Sequence, residues 1–146
     1  MNKAFVREIE EKRDCCPQCG STGIAVFAVT LQAWLTAEQR QQLSDVTFFC
    51  VYKNCPVAYF DSFERMVPAE ELAVPIWPKA PEAPVCQCSG LTLRDIEEDV
   101  EASRLSRIRE TVAHAQSGKA RCSSLAPSGQ NCTAAVQKCY MQVHRQ

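Results

Sequence analysis

Residues 15–20 read CCPQCG, and residues 50–55 read CVYKNC. The first stretch is a knuckle. The turn Cys16-Pro17-Gln18-Cys19 presents two thiolates to one tetrahedral ion, and Gly20 relieves the left-handed position that follows. Cys50 lies near the end of the apolar run VTFFCVY (46–52), and Cys55 stands just before the run VAYF (57–60). The spacing is Cys-x2-Cys, 30 residues, Cys-x4-Cys, and it predicts a zinc site at Cys16, Cys19, Cys50 and Cys55. Cys15 competes with its neighbours for a place, although adjacent Cys15 and Cys16 are sterically awkward on one ion. Asp14, Asp61 or His114 is an alternative oxygen or nitrogen donor. The plainer reading is that these are core thiols packing as small hydrophobes. The Cys-Pro-x-Cys-Gly spacing favours metal.

The surrounding pattern predicts a small sheet with one helix. IAVFAVTL (24–31), VTFFCVY and VAYF are rich in β-branched and aromatic residues. Between the first two, TAEQRQQLS (36–44) reads as a short helix with Thr36 as N-cap. Next comes VPIWPKAPEAP (74–84), whose four prolines make a semi-rigid connector. The division expected is a zinc-binding α+β part over 1–73, a linker over 74–85 and a helical part over 86–146. Thr92 and Asp95 form an acidic capping box before DIEEDVEA. Ser103 is expected to cap RLSRIRETVAHAQS, with Leu105, Ile108, Val112 and Ala115 on one face and Gly118 as the stop. Asn131 or Thr133 is expected to cap a last helix. The fold class is therefore α+β: a β-rich, ribbon-like zinc part followed by an all-α part.

Ten cysteines in 146 residues exceed what core packing requires. Disulfides would need an oxidising compartment and an export signal. The opening residues, MNKAFVREIEEKRD, contain no apolar run of signal-peptide length, so the expectation is a reducing cytoplasm and thiols that bind metal. No stretch is long and apolar enough to insert in a membrane. A net charge of −1 gives no reason to expect a nucleic-acid partner.

The second cysteine group is Cys86-x-Cys88, 33 residues, Cys122, nine residues, Cys132. A Cys-x-Cys pair followed by Ser89-Gly90 lets the backbone curl around an iron. A [2Fe–2S] cluster takes two thiolates per iron. Helix N-termini, which Cys88 and Cys132 precede, offer N–H donors and partial positive charge to an anionic cluster. Four buried thiols, or zinc in the same tetrad, are the competing readings. Cys139 reads as a core or spare thiol.

VCQCSGLT, a helical hairpin and RC…PSGQNC resemble the bacterioferritin-associated ferredoxin-like [2Fe–2S] domain. The Cys-x9-Cys second pair, in place of that domain's Cys-x2-Cys, is similar to the archaeal-type copper chaperone CopZ family, as are CCPQCG and FFC…NCPVAYFD. The resemblance implies cluster ligands at Cys86, Cys88, Cys122 and Cys132 and a structural zinc beside them. It further implies one-electron transfer linked to copper handling, with Cu(II) reduced to Cu(I), and transient contact with copper. In that family a copper-carrier domain with a Met-x-Cys-x-x-Cys loop follows. This sequence ends at Gln146 soon after the last helix, so no such domain is expected within it. A separate copper carrier or transporter and an electron donor are the implied partners. The alternative function is a non-catalytic iron- or redox-sensing, ferredoxin-like interaction module.

No phosphate loop, nucleophile elbow or His-Glu-x-x-His occurs, so the sequence points to a redox or metallochaperone-type protein more than to a classical enzyme. His114 and His144 read as surface residues. Glu97, Glu98, Asp99 and Glu101 read as a solvated helix face, and Trp34, Trp77, Phe48 and Phe49 as core.

Overall fold

Aromatic and β-branched residues at 24–26, 47–49, 57–61 and 66–68 pair into an antiparallel meander. The computed structural model describes residues 14–117 and 125–145. Its first sheet runs β1 (Ile24–Val26), β2 (Thr47–Phe49), β3 (Val57–Asp61) and β4 (Met66–Pro68), in that order. The register pairs Ile24 with Phe49, Phe48 with Phe60, and Phe49 with Tyr59. Both aromatic cross-strand pairs are in contact. The rings of Phe48 and Phe60 stack at 5.4 Å, and those of Phe49 and Tyr59 tilt at 5.5 Å.

Every residue of β3 is buried, because both faces of this strand are covered. One face packs with Val26, Leu35, Leu43, Val67, Leu72 and Ile76, and the other meets the cysteines. Gly23 lies under the second face. A Cβ there would come within 2.6 Å of Phe60 Cζ and 2.8 Å of Phe48 Cβ. Gly23→Ala is therefore expected to cost about 1–3 kcal/mol through overpacking. Urea unfolding of the zinc-loaded protein reads this directly, and an unchanged midpoint would show that Phe60 moves aside freely.

The run 24–31 is not one strand. The strand ends at Val26, and α1 (Ala28–Trp34) begins after Phe27. Here tertiary packing overrides β propensity: the helix seats Thr30, Leu31 and Trp34 toward the core at helical spacing. The short helix α2 (Ala37–Gln41) follows with the expected cap, as the Thr36 hydroxyl accepts from Gln39 N–H and the Gln39 side chain accepts from Thr36 N–H.

The far end of the sheet is closed by Asp61. Its carboxylate accepts from the N–H groups of Ser44, Phe63 and Arg65 and pairs with Arg65 Nε at 2.8 Å. Burial opposes ionisation, but these donors outweigh it and hold the carboxyl below its usual range. A depressed folded pKa gives stability that is complete above the unfolded value, about 3.9, and is lost only as pH falls below it. Asp61→Asn should thus cost about 1–3 kcal/mol, with the same deficit at pH 6 and pH 8 in denaturant titrations.

The all-α expectation for the second part needs correction. It opens with a two-stranded ribbon, β5 (Pro84–Cys86) and β6 (Leu91–Thr92), with Cys86 paired to Leu91. Gly90, at φ +77°, lets the chain reverse, and its N–H donates to the Cys86 carbonyl at 2.8 Å. Helices α3 (Leu93–Glu101), α4 (Ser106–Gln116) and α5 (Thr133–His144) pack on this ribbon around Leu91, Ile96, Ile108, Ala115 and Val136. The Thr92–Asp95 capping box is present in both directions.

Ser103 does not cap α4. It sits at φ +55° in the turn that ends α3, and α4 starts three residues later without a side-chain cap. Gly118 lies outside the described residues. The acidic face of α3 is not merely solvated: Arg107 reaches across to Asp99 at 2.7 Å, Asp95 at 3.1 Å and Glu98 at 3.4 Å, and Asp99 is buried. The proline-rich connector joins both cores, with Ile76 in the first and Trp77 against the second. Among the described residues, no helix is long and apolar enough to cross a membrane.

Candidate metal centre

The CCPQCG knuckle folds as its sequence requires. Cys15 bridges Thr22, Cys16 N–H donates to Ser21 O, and Gly20 N–H donates to Cys16 O at 2.8 Å. Gly20 takes φ +78°. The second pair caps the β2–β3 connection: Cys50 N–H donates to Ala58 O, and Cys55 N–H donates to Tyr52 O. Lys79 Nζ donates to Tyr52 O at 2.6 Å and ties this loop to the connector.

The two knuckles face each other. Cys16 Sγ lies 3.9 Å from Cys55 Sγ, and Cys19 Sγ lies 3.6 Å from Cys50 Sγ. All four sulfurs fall within 4.8 Å of one another. Zinc–sulfur bonds of about 2.3 Å in a regular tetrahedron set sulfurs about 3.8 Å apart, so this donor set has the size and chemistry of a zinc site. Three of the four cysteines are buried and Cys19 is half-buried, with Val57 and Phe60 packed behind them.

The thiols are not equivalent. Burial pushes Cys16 up to about 12 and raises Cys55. Burial also opposes ionisation of Cys19, but hydrogen bonds from Ser21, Cys50 and Cys16 outweigh it and bring that thiol to about 6. Cys15 stands aside from the set, its Sγ 3.8 Å from Asp14 Oδ1. Asp61 is engaged at the far end of the sheet, and His114 lines a groove with Ser89, Glu110 and Thr111 in the second part.

Of the second cysteine group, Cys86, Cys88 and Cys132 gather around the β5–β6 turn. Cys86 and Cys132 are buried in one apolar cluster with Cys139, and half-buried Cys88 packs against it. The Cys132 side chain hydrogen-bonds Cys86. With the Ser89 hydroxyl and the Ser89 and Cys88 N–H groups, and against burial, it lowers the Cys86 thiol to about 5. Cys132 immediately precedes α5, where Asn131 Oδ1 accepts from Thr133 N–H at 2.8 Å. Cys139 lies within α5, and burial raises its thiol. Cys122 lies outside the described residues.

What the sequence reading missed is the Ser89 hydroxyl beside Cys86, which the small-residue pair Ser89-Gly90 signalled only as backbone freedom. It also missed the hold of the first part on the chain ahead of Cys132. Trp34 Nε1 donates to Leu125 O at 3.2 Å, and the Tyr59 hydroxyl donates to Pro127 O.

Residues 13–73 match the family model zf_CopZ, described as a zinc binding domain. The four facing thiols, inside a segment of that kind, make this a metal-binding protein with a zinc-type donor set. Among solved structures, the chain is similar to the N-terminal domain of CopZ from Archaeoglobus fulgidus, determined by X-ray crystallography. The TM-score is 0.71 at 22% identity, over 85% of this chain and 95% of that one. At that identity the likeness speaks for the fold. No curated protein matches.

Proposed function

We propose that this chain is a cytoplasmic two-centre metal protein. In this reading Cys16, Cys19, Cys50 and Cys55 hold a structural zinc, and Cys86, Cys88, Cys122 and Cys132 hold a [2Fe–2S] cluster. The observation that carries the first centre is the convergence of four thiols within 4.8 Å from two separate turns. Four thiolates leave no open position, so this centre is structural.

The second centre is supported by the placement of Cys86 and Cys132 side by side, with Cys88 on the same turn. Three thiols delivered from a ribbon turn and a helix start fit the donor set of a two-iron cluster, which spreads its ligands over two metals. When bound, such a cluster supplies one-electron transfer. The chain's own part is to present the thiols, direct the N–H groups of Cys88 and Ser89 at Cys86 sulfur, and keep the site largely dry.

The activity is electron transfer in the handling of copper or another metal, with Cu(II) reduced to Cu(I) as the proposed step. The electron comes from a separate donor, and copper passes to a separate carrier domain or transporter. Neither membrane insertion nor nucleic acid is part of this reading. The division into residues 1–73, 74–85 and 86–146 belongs to the same proposal.

The test is an ultraviolet–visible spectrum with iron, sulfide and zinc analysis on anaerobically purified protein. Two irons, two sulfides and one zinc per chain, with visible charge-transfer bands, are expected. A colourless protein with two zincs, still without sulfide after anaerobic reconstitution, would overturn the redox reading and leave a zinc-stapled interaction module.

A further inference from the structure

The segment ahead of α5 is held at both ends by residues that are distant in sequence. At its start, the carbonyls of Leu125 and Pro127 accept from Trp34 and Tyr59. At its end, Asn131 Nδ2 donates to Ala115 O at 2.6 Å, the last turn of α4. Between them the chain makes a tight turn in which Gly129 N–H donates to Ala126 O at 2.9 Å and Gly129 takes φ +72°. The result is a clip whose next residue is Cys132.

The upstream anchors belong to the zinc-bearing half. Tyr59 lies on the central strand β3, fully buried, with Phe49 against its ring. Phe60 next to it packs on the thiols of Cys16, Cys50 and Cys55. Trp34 ends α1 on the same core. Burial keeps the Tyr59 phenol protonated and therefore a donor. A buried core thus holds two carbonyls of the loop that leads to Cys132.

We propose that Trp34 and Tyr59 are positioning residues for the second metal centre: by gripping the Leu125 and Pro127 carbonyls, they fix the clip that delivers Cys132 to Cys86. The inference rests on the reading of Cys132 as a cluster ligand. It makes the two centres unequal. The zinc half organises the site of the cluster half, and disorder in the first loosens the second.

The experiment compares wild type with the double variant Trp34→Phe/Tyr59→Phe, which keeps an aromatic ring at each position and deletes both donors. Three quantities are read on anaerobic protein: zinc per chain, visible circular dichroism, and the rate of iron release to a ferrous chelator. Zinc should stay at one per chain, while iron leaves about tenfold faster and the visible circular dichroism changes. Iron release at the wild-type rate would overturn the proposal. So would a parallel loss of zinc, which would mark a general unfolding.

If wild type accepts no cluster at all, the cluster reading fails separately. The positioning role is then read from alkylation of Cys132 by iodoacetamide in the zinc-loaded protein, followed by peptide mass spectrometry. Several-fold faster labelling of Cys132 in the double variant supports the clip, and equal labelling overturns it.

Discussion

Cys55→Ser is expected to abolish stoichiometric zinc binding and unfold the first half of the chain at 25 °C. Cys55 is buried, faces Cys16 at 3.9 Å, and leads into the central strand. A structural zinc site contributes about 10–16 kcal/mol of binding free energy at neutral pH, and that energy is folding energy wherever the site forms only on folding. A domain of this size has only about 5–15 kcal/mol to lose. The strands here are three to five residues long, and the sheet relies on the knuckles to hold the β2–β3 connection against the chain ahead of β1. Serine keeps the shape but is a poor zinc ligand, and it leaves a hydroxyl buried among sulfurs. Elemental analysis and near-ultraviolet circular dichroism together read the outcome. A variant that keeps one zinc and the wild-type melt would move the ligand set elsewhere. Cys15→Ser serves as the comparison and should leave zinc content and melting unchanged, because Cys15 lies outside the four-thiol set.

The second large effect is expected at Phe60. Its side chain is fully buried, stacks on Phe48, fills the space over Gly23 and touches the cysteine cluster. Phe60→Ala removes a ring from a site lined by backbone, cysteine and sheet, none of which can collapse far. The expected cost is about 3–5 kcal/mol, measured by urea unfolding of the zinc-loaded protein. Zinc should also be released faster to a competing chelator, because the apolar support behind the thiols is gone. Phe60→Leu, which restores most of the volume, should recover most of the loss. A loss under about 1 kcal/mol for alanine would mean that the knuckles stand without the sheet.

Much of this was legible from local chemistry. Cys-Pro-x-Cys-Gly can turn in one way, and its glycine takes the left-handed conformation that the turn demands. Thr36 and Thr92 cap the helices they precede, because capping involves groups only three residues apart. Failures arose where distant packing decides. AVTL (28–31) has strand propensity, yet it becomes helix because Leu31 and Trp34 must cover the sheet. VCQCSGLT contains too few residues to declare a ribbon, and its pairing of Cys86 with Leu91 depends on the helices packed over it. Ser103 looks like a cap, but the turn that lets Arg107 reach Asp99 uses it in a left-handed conformation.

By itself, then, the sequence determined the donors: which residues carry thiols, in which turns, and at what spacing, since thiolate chemistry and turn geometry are properties of a few consecutive residues. Only the tertiary structure decided how those turns meet. It set Cys16 opposite Cys55 and Cys19 opposite Cys50, and it tied the carbonyls ahead of Cys132 to Trp34 and Tyr59. The physical reason is range. A knuckle is settled by bonds across four residues. The distance between two knuckles is settled by a buried sheet, and no local pattern encodes the register of that sheet against its neighbours.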